Sequence, residues 1–129
     1  MRKFRNKKYD DAIADSLTFI AETANVNGWS AGFGLAVSSD ILETAIEIIN
    51  YIQDEMDVEP LHVMCDESGV IHMEYDILAL TEEFTVSLEI CSKNMIDMTL
   101  TDHQNNINFY TNNIQTKSAM SFLRRIIHG

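Results

Sequence analysis

Pro60 separates two hydrophobic rhythms, and that change constrains the fold more than any other feature of the chain. Before it, Ile41, Ala45, Ile48, Ile49, Ile52 and Met56 recur at the three- and four-residue steps that line one face of a helix. After it, Leu61, Val63 and Cys65 alternate with His62 and Met64, and Ile71, Met73, Tyr75 and Ile77 alternate with His72, Glu74 and Asp76. A period of two sends successive side chains to opposite sides, so these segments read as strands with one apolar face. Phe84, Val86, Leu88 and Ile90 repeat the pattern, Ile96, Met98 and Leu100 follow as a fourth strand, and Ile107 to Tyr110 reads as a shorter fifth.

The links between these strands are short. Asp66-Glu67-Ser68-Gly69-Val70 suits a hairpin with Gly69 in the left-handed region, and Ser92-Lys93-Asn94 makes a second turn with Asn94 in that role. Both keep the apolar sets on one side, as a half-buried antiparallel sheet requires. The register they imply sets His62 opposite Glu74 and Glu89 opposite Asp97. Upstream, Ile13, Leu17, Ile20 and Ala24 predict a helix over Tyr9–Ala24, with Asp10 and Asp11 in its first turn. Residues 25–39 form a glycine-bearing loop in which Trp29, Phe33 and Leu35 are expected to pack down, with Gly28, Gly32 and Gly34 permitting the turns. Asp40 followed by Glu43 predicts a capping-box-like start for the second helix. A last helix is expected from near Asn112, with Ala119, Phe122, Leu123, Ile126 and Ile127 on one side.

The expected architecture is α+β, in the order α-α-β-β-β-β-(β)-α: an antiparallel sheet of four to five strands with helices on one face. Residues 1–8 read as a flexible basic arm and 9–129 as a single domain, long enough to bury a core. With 46% hydrophobic residues the chain is a folding sequence, and no apolar run approaches the length of a membrane span. The basic start lacks an apolar segment behind it, so no secretory signal is expected. Cys65 and Cys91 lack metal-ligand spacing and read as inward core thiols; with seven methionines they suit a cytoplasmic protein.

Charge is the second strong feature. All twenty Asp and Glu lie between Asp10 and Asp102, where Lys93 is the one Lys or Arg, so this block carries a formal −19. The other cations are Arg2, Lys3, Arg5, Lys7 and Lys8 at the start and Lys117, Arg124 and Arg125 near the end. Net charge of this size speaks to partners rather than to fold. It argues against nucleic acid or acidic membrane on the central block and for a basic protein surface. On the first helix Asp11, Asp15 and Glu22 share a face; on the second, Glu43, Glu47 and Asp54 form a stripe opposite the isoleucines; on the sheet, Glu74, Asp76, Glu89 and Asp97 fall on the polar side. A solvated helix commonly mixes Glu with Lys at i,i+4, which these helices do not. An acidic coat that only keeps a protein soluble is the plain alternative.

Other chemistry finds less support. His62, His72 and Glu74 are the candidate metal ligands, against a plain surface His–Glu pair. The glycines around Trp29 lack the Lys and hydroxyl of a phosphate loop, no dinucleotide fingerprint precedes a helix, and no serine lies in a nucleophile-elbow setting. No catalytic residue and no cofactor is therefore assigned.

Residues 28–91 carry a family resemblance in Gly28-Trp29, Gly32 and Gly34, a helix with Ala45, Glu59-Pro60-Leu61, Asp66 with Gly69-Val70-Ile71, Met73 and Tyr75, and Leu88 with Ile90. The order resembles a group of small bacterial and phage proteins of uncharacterised function, built from a Trp-and-Gly loop, a long helix and a Pro-led hairpin. Where that group usually has Asp and Gly after the Trp, Ser30 and Ala31 stand here. The resemblance implies a setting among phages or mobile elements and brings no catalytic residues. The sequence thus points to a non-enzymatic acidic inhibitor occupying the basic, nucleic-acid-binding surface of a host defence nuclease or complex. The alternative is an antitoxin or immunity-type protein anchored on its toxin by Trp29 and Phe33. A third reading is a metal protein or enzyme using His62, His72 and Glu74.

Overall fold

A computed structural model describes residues 10–79, 82–105 and 107–128. The element order is α1 (Asp11–Glu22), α2 (Ser39–Met56), β1 (His62–Cys65), β2 (Ile71–Ala79), β3 (Glu82–Ser92), β4 (Met95–Asp102), β5 (Ile107–Gln115) and α3 (Thr116–His128). This is the expected α+β order, with the fifth strand fully formed. The strands make one antiparallel sheet in sequence order, β1-β2-β3-β4-β5. The basic arm expected over residues 1–8 lies outside the described residues.

One-sided burial organises the molecule. Val63, Ile71, Met73, Tyr75, Ile77, Val86, Leu88, Ile90, Ile96, Met98 and Leu100 all point to the helix side and are buried. They meet Leu17 and Ile20 of α1, the Ile41, Ala45, Ile48, Ile49 and Ile52 stripe of α2, and Ala119, Met120 and Leu123 of α3 in one core. Among the described residues no helix is long and apolar enough to cross a membrane.

Several boundaries differ from the expectation, each for a local reason. Helix α2 is capped by Ser38, whose hydroxyl accepts from the Ile41 amide at 3.2 Å, while Asp40 lies inside the first turn. Both residues are good caps; Ser38 follows directly on Val37, which is buried and whose amide donates to Ala24 O at 2.9 Å, so the loop is fixed up to that point. Helix α2 stops at Asp57, which takes the left-handed conformation (φ 55°), three residues before Pro60. Helix α3 opens at Thr116 rather than near Asn112, because residues 111–115 extend β5. The register of β4 and β5 shifts between Ile96 and Met98, and Asn113 absorbs the irregularity at φ 56°. The asparagines that resemble a helix start in sequence serve a bulge instead.

The α1–α2 loop is tied down by polar contacts. The Trp29 indole Nε1 donates to Leu35 O at 2.8 Å, its ring meets Phe19 edge-on, and the Asn27 side chain accepts from the Ala36 amide. The loop also grips the first hairpin, since Leu35 N–H donates to Glu67 O and Ser30 Oγ to Glu67 Oε2, both at 2.8 Å. Phe33 and Leu35 depart from the expectation that they pack down: Phe33 stands 71% exposed at the loop tip, and Leu35 is exposed as well. A short bridge between Ser30 and Phe33 turns the backbone outward there.

Two glycines in the left-handed region separate conformational strain from crowding. A Cβ on Gly69 (φ +83°) would lie 2.9 Å from the Ala36 carbonyl oxygen, whereas one on Gly32 (φ +91°) would meet nothing within 4 Å. Gly32→Ala should therefore cost about 1 kcal/mol from backbone strain alone. Gly69→Ala should cost roughly twice that or more, because the loop must also move off the hairpin. Urea unfolding midpoints of the two variants check the order.

Candidate functional site

The sheet face turned away from the helices carries a connected set of histidines and carboxylates. The expected registers hold: His62 pairs with Glu74, and Glu89 with Asp97. His62 Nε2 lies 3.5 Å from Glu74 Oε1, and Ser87 Oγ donates to Glu74 Oε2 at 3.3 Å. Next along β2, His72 pairs with Glu89 of β3. Its Nδ1 is 3.4 Å from Glu89 Oε2 and its Nε2 is 2.7 Å from Asp66 Oδ2 in the hairpin loop. Asp76 Oδ1 accepts from Thr85 Oγ1 at 3.1 Å. A shallow cavity of about 530 Å³ runs over this face, edged by Met64 and Tyr110.

The opposed Glu89–Asp97 pair, costly as two like charges, acquires a structural account. Asp97 Oδ1 accepts the Asn113 amide at 2.7 Å, at the residue that absorbs the β4–β5 irregularity. Glu89 turns its other oxygen to His72. Each carboxylate is held for its own reason, and the pair is not a surplus of charge facing solvent.

Between them sits Cys91, which the sequence reading placed inward and which is exposed. Ile90 is buried, so alternation puts Cys91 on the opposite face beside Glu89. Its Sγ is 3.5 Å from Glu89 Oε1 and 3.8 Å from Asp97 Oδ2. Partial burial, then the Asp97 and Glu89 carboxylates, push the thiol pKa up to about 11. Cys65, by contrast, is half-buried against the core as expected.

The candidate metal set of His62, His72 and Glu74 is not gathered as one group among the described residues. His62 and Glu74 pair, but Asp66 and Glu89 hold both ring nitrogens of His72. Among the described residues, the ligand atoms that come within 4.8 Å of one another belong to Glu89, Cys91 and Asp97. Sequence reasoning missed this group, although the i,i+2 spacing of Glu89 and Cys91 and the Glu89–Asp97 register together place it. As built, the thiol keeps its proton between two carboxylates, which is the opposite of a thiolate prepared for a metal or an electrophile.

On the helices, Asp11, Asp15, Glu22, Glu43, Glu47 and Asp54 are all exposed, as expected. The two proposed aromatic anchors part company: Trp29 is half-buried and braces the loop, and Phe33 projects from it. Leu35 (58% exposed) and Val26 (57% exposed) are further exposed apolar residues of the same loop. Comparison with protein-family models, curated proteins and solved structures gave no match.

The polar face yields two expectations. Cys91 should alkylate with iodoacetamide far more slowly at pH 8 than an ordinary exposed thiol, and Glu89→Gln should accelerate it by lowering the thiol pKa. Equal rates in the two proteins would contradict the carboxylate effect. For Asp66, burial acts to raise the pKa, but hydrogen bonds from Ser68 and His72 outweigh it and hold the carboxyl below the usual range. A folded-state pKa below the unfolded one gives stabilisation that is present above the unfolded value, about 3.9, and is lost as pH falls through the folded value. Asp66→Asn should therefore lower the urea midpoint at pH 7, and the two midpoints should draw together towards pH ~3.

Proposed function

We propose that the protein is a non-enzymatic acidic binding protein that seats on a basic protein surface. The observation that carries this is the exposed, lysine-free carboxylate stripes of α1 (Asp11, Asp15, Glu22) and α2 (Glu43, Glu47, Asp54). From residue 10 onward the chain sets Lys93, Lys117, Arg124 and Arg125 against twenty acids. The sheet-face carboxylates contribute less, because His62, His72 and the Asn113 amide engage Glu74, Glu89 and Asp97. The partner class that fits is the nucleic-acid-binding surface of a nuclease or related defence complex, with the protein as an inhibitor carried by a phage or mobile element. Its fields would steer association and weaken with salt.

A second reading is favoured by one observation, the exposure of Phe33, together with Val26 and Leu35, in the α1–α2 loop. An apolar anchor of that kind suits an antitoxin or immunity-type protein holding one small toxin.

Competition against labelled DNA on a panel of basic nucleases separates these. Glu43→Lys with Glu47→Lys should reduce displacement by about tenfold or more at low salt, with little effect at high salt, while leaving the circular dichroism unchanged. Full inhibition by that variant would sink the charge-mimicry reading for α2. Phe33→Ala should abolish binding under the antitoxin reading and change it little under the first; Trp29→Ala should loosen the loop under either.

A further inference from the structure

Three of the four Lys and Arg among the described residues gather at one place: Lys93 in the β3–β4 turn and Lys117 and Arg124 of α3 line one cavity of about 900 Å³ together with Glu47, Ile48 and Tyr51 of α2. A volume of this size lies within the range of small-molecule sites. Its wall is mixed: Tyr51, Met95 and Met120 supply apolar surface, and Glu47 supplies a carboxylate. In a chain of net −11, whose field repels anions at a distance, three cations lining one cavity make the potential there more positive than elsewhere.

The turn that carries Lys93 is held from two sides. Thr44, the buried polar residue of the core, accepts the Asn94 amide at 3.1 Å through its hydroxyl while donating to Asp40 O at 2.9 Å. The Thr116 amide donates to Asn94 O at 2.9 Å, so the start of α3 is fixed to the same turn. Lys93 and Lys117 therefore stand on backbone that is already ordered, which lowers the cost of gathering them around a ligand. Helix α3 also begins at this wall, and its dipole adds positive potential there. Arg124 Nε reaches Glu55 at 3.8 Å, a long contact between exposed groups that contributes little and leaves the guanidinium's other N–H groups available.

We propose that this cavity binds a small phosphorylated organic anion of the nucleoside monophosphate class. Lys93, Lys117 and Arg124 hold the phosphate, Tyr51, Met95 and Met120 seat the ring system, and Glu47 accepts from a hydroxyl or amino group. Glu47 is the reason to prefer such a ligand over a bare anion, since a carboxylate in the wall repels phosphate but rewards a ligand that also carries donors. The site does not depend on any protein partner.

Titration of the isotope-labelled full chain with the four ribonucleoside 5′-monophosphates, followed by amide NMR shifts, tests it. At least one should give saturable shifts at the Asn94, Thr116 and Lys117 amides. Inorganic phosphate and the parent nucleoside alone should each bind about tenfold more weakly or worse. Lys93→Ala with Lys117→Ala, both exposed, should weaken binding by about tenfold with the rest of the spectrum unchanged. No saturable shift at those amides with any of the four at ~10 mM would overturn the proposal, that concentration being beyond the range of a functional site. So would undiminished binding by the double variant. Phosphate binding as tightly as the nucleotide would also overturn it, reducing the site to an adventitious anion contact.

Discussion

A sheet that is covered on one face only must commit every second side chain to the core, and the whole molecule follows from that commitment. Eleven inward residues from Val63 to Leu100 leave no choice of register, because a slip of one position would exchange isoleucines for histidines and carboxylates across the sheet. The apolar stripe of α2 then has one surface to lie on, and α1 and α3 fill the remainder of that layer. The opposite face receives whatever the alternation leaves. The His62–Glu74 and His72–Glu89 contacts are thus consequences of register before they are features of a site.

Where period and register decide the outcome, the sequence is readable. The strand pairs, the left-handed Gly69 and Asn94, the opposed Glu89 and Asp97 and the isoleucine stripe all follow from local pattern. Features settled by tertiary contact are not readable in that way. Ser38 and Asp40 are equally good caps in isolation, and only the packing of the preceding loop chooses between them. Asn112 and Asn113 look like a helix start until Asp97, sixteen positions earlier, takes the Asn113 amide. Cys91 is a different case: its outward direction was in the alternation all along, and the parity of Ile90 settles it. Trp29 and Phe33 are chemically alike in the loop, and what separates them is the Leu35 carbonyl that binds one indole and offers nothing to a phenyl ring.

The acidic character divides on inspection into two kinds. On the sheet the carboxylates are consumed by neighbours: Asp66 by Ser68 and His72, Glu74 by His62 and Ser87, Asp97 by the bulge. Their positions are explained by the fold, and a partner need not be invoked for them. On α1 and α2 the carboxylates stand exposed without a lysine at the i,i+4 positions that a merely soluble helix would use. The helices, rather than the formal charge of the whole chain, therefore offer the acidic surface that a basic partner would meet.

The same accounting applies to the cations. A chain that excludes Lys and Arg from ninety-odd residues and then places Lys93 on a turn fastened by a buried threonine is not using that lysine for solubility. Lys93 lines one cavity together with Lys117, Arg124 and Glu47. Gathering like charges costs energy unless something of opposite sign returns it. Glu47 and Glu55 return part, one from the cavity wall and one through a long contact to Arg124. Two carboxylates against three cations leave the lining open to the anion proposed above. The acidic stripe and the basic cavity meet on α2, where Glu43 is exposed on the stripe and Glu47 and Tyr51, one turn apart, line the cavity. On the proposal above, an anion bound there would add its charge beside the α2 stripe.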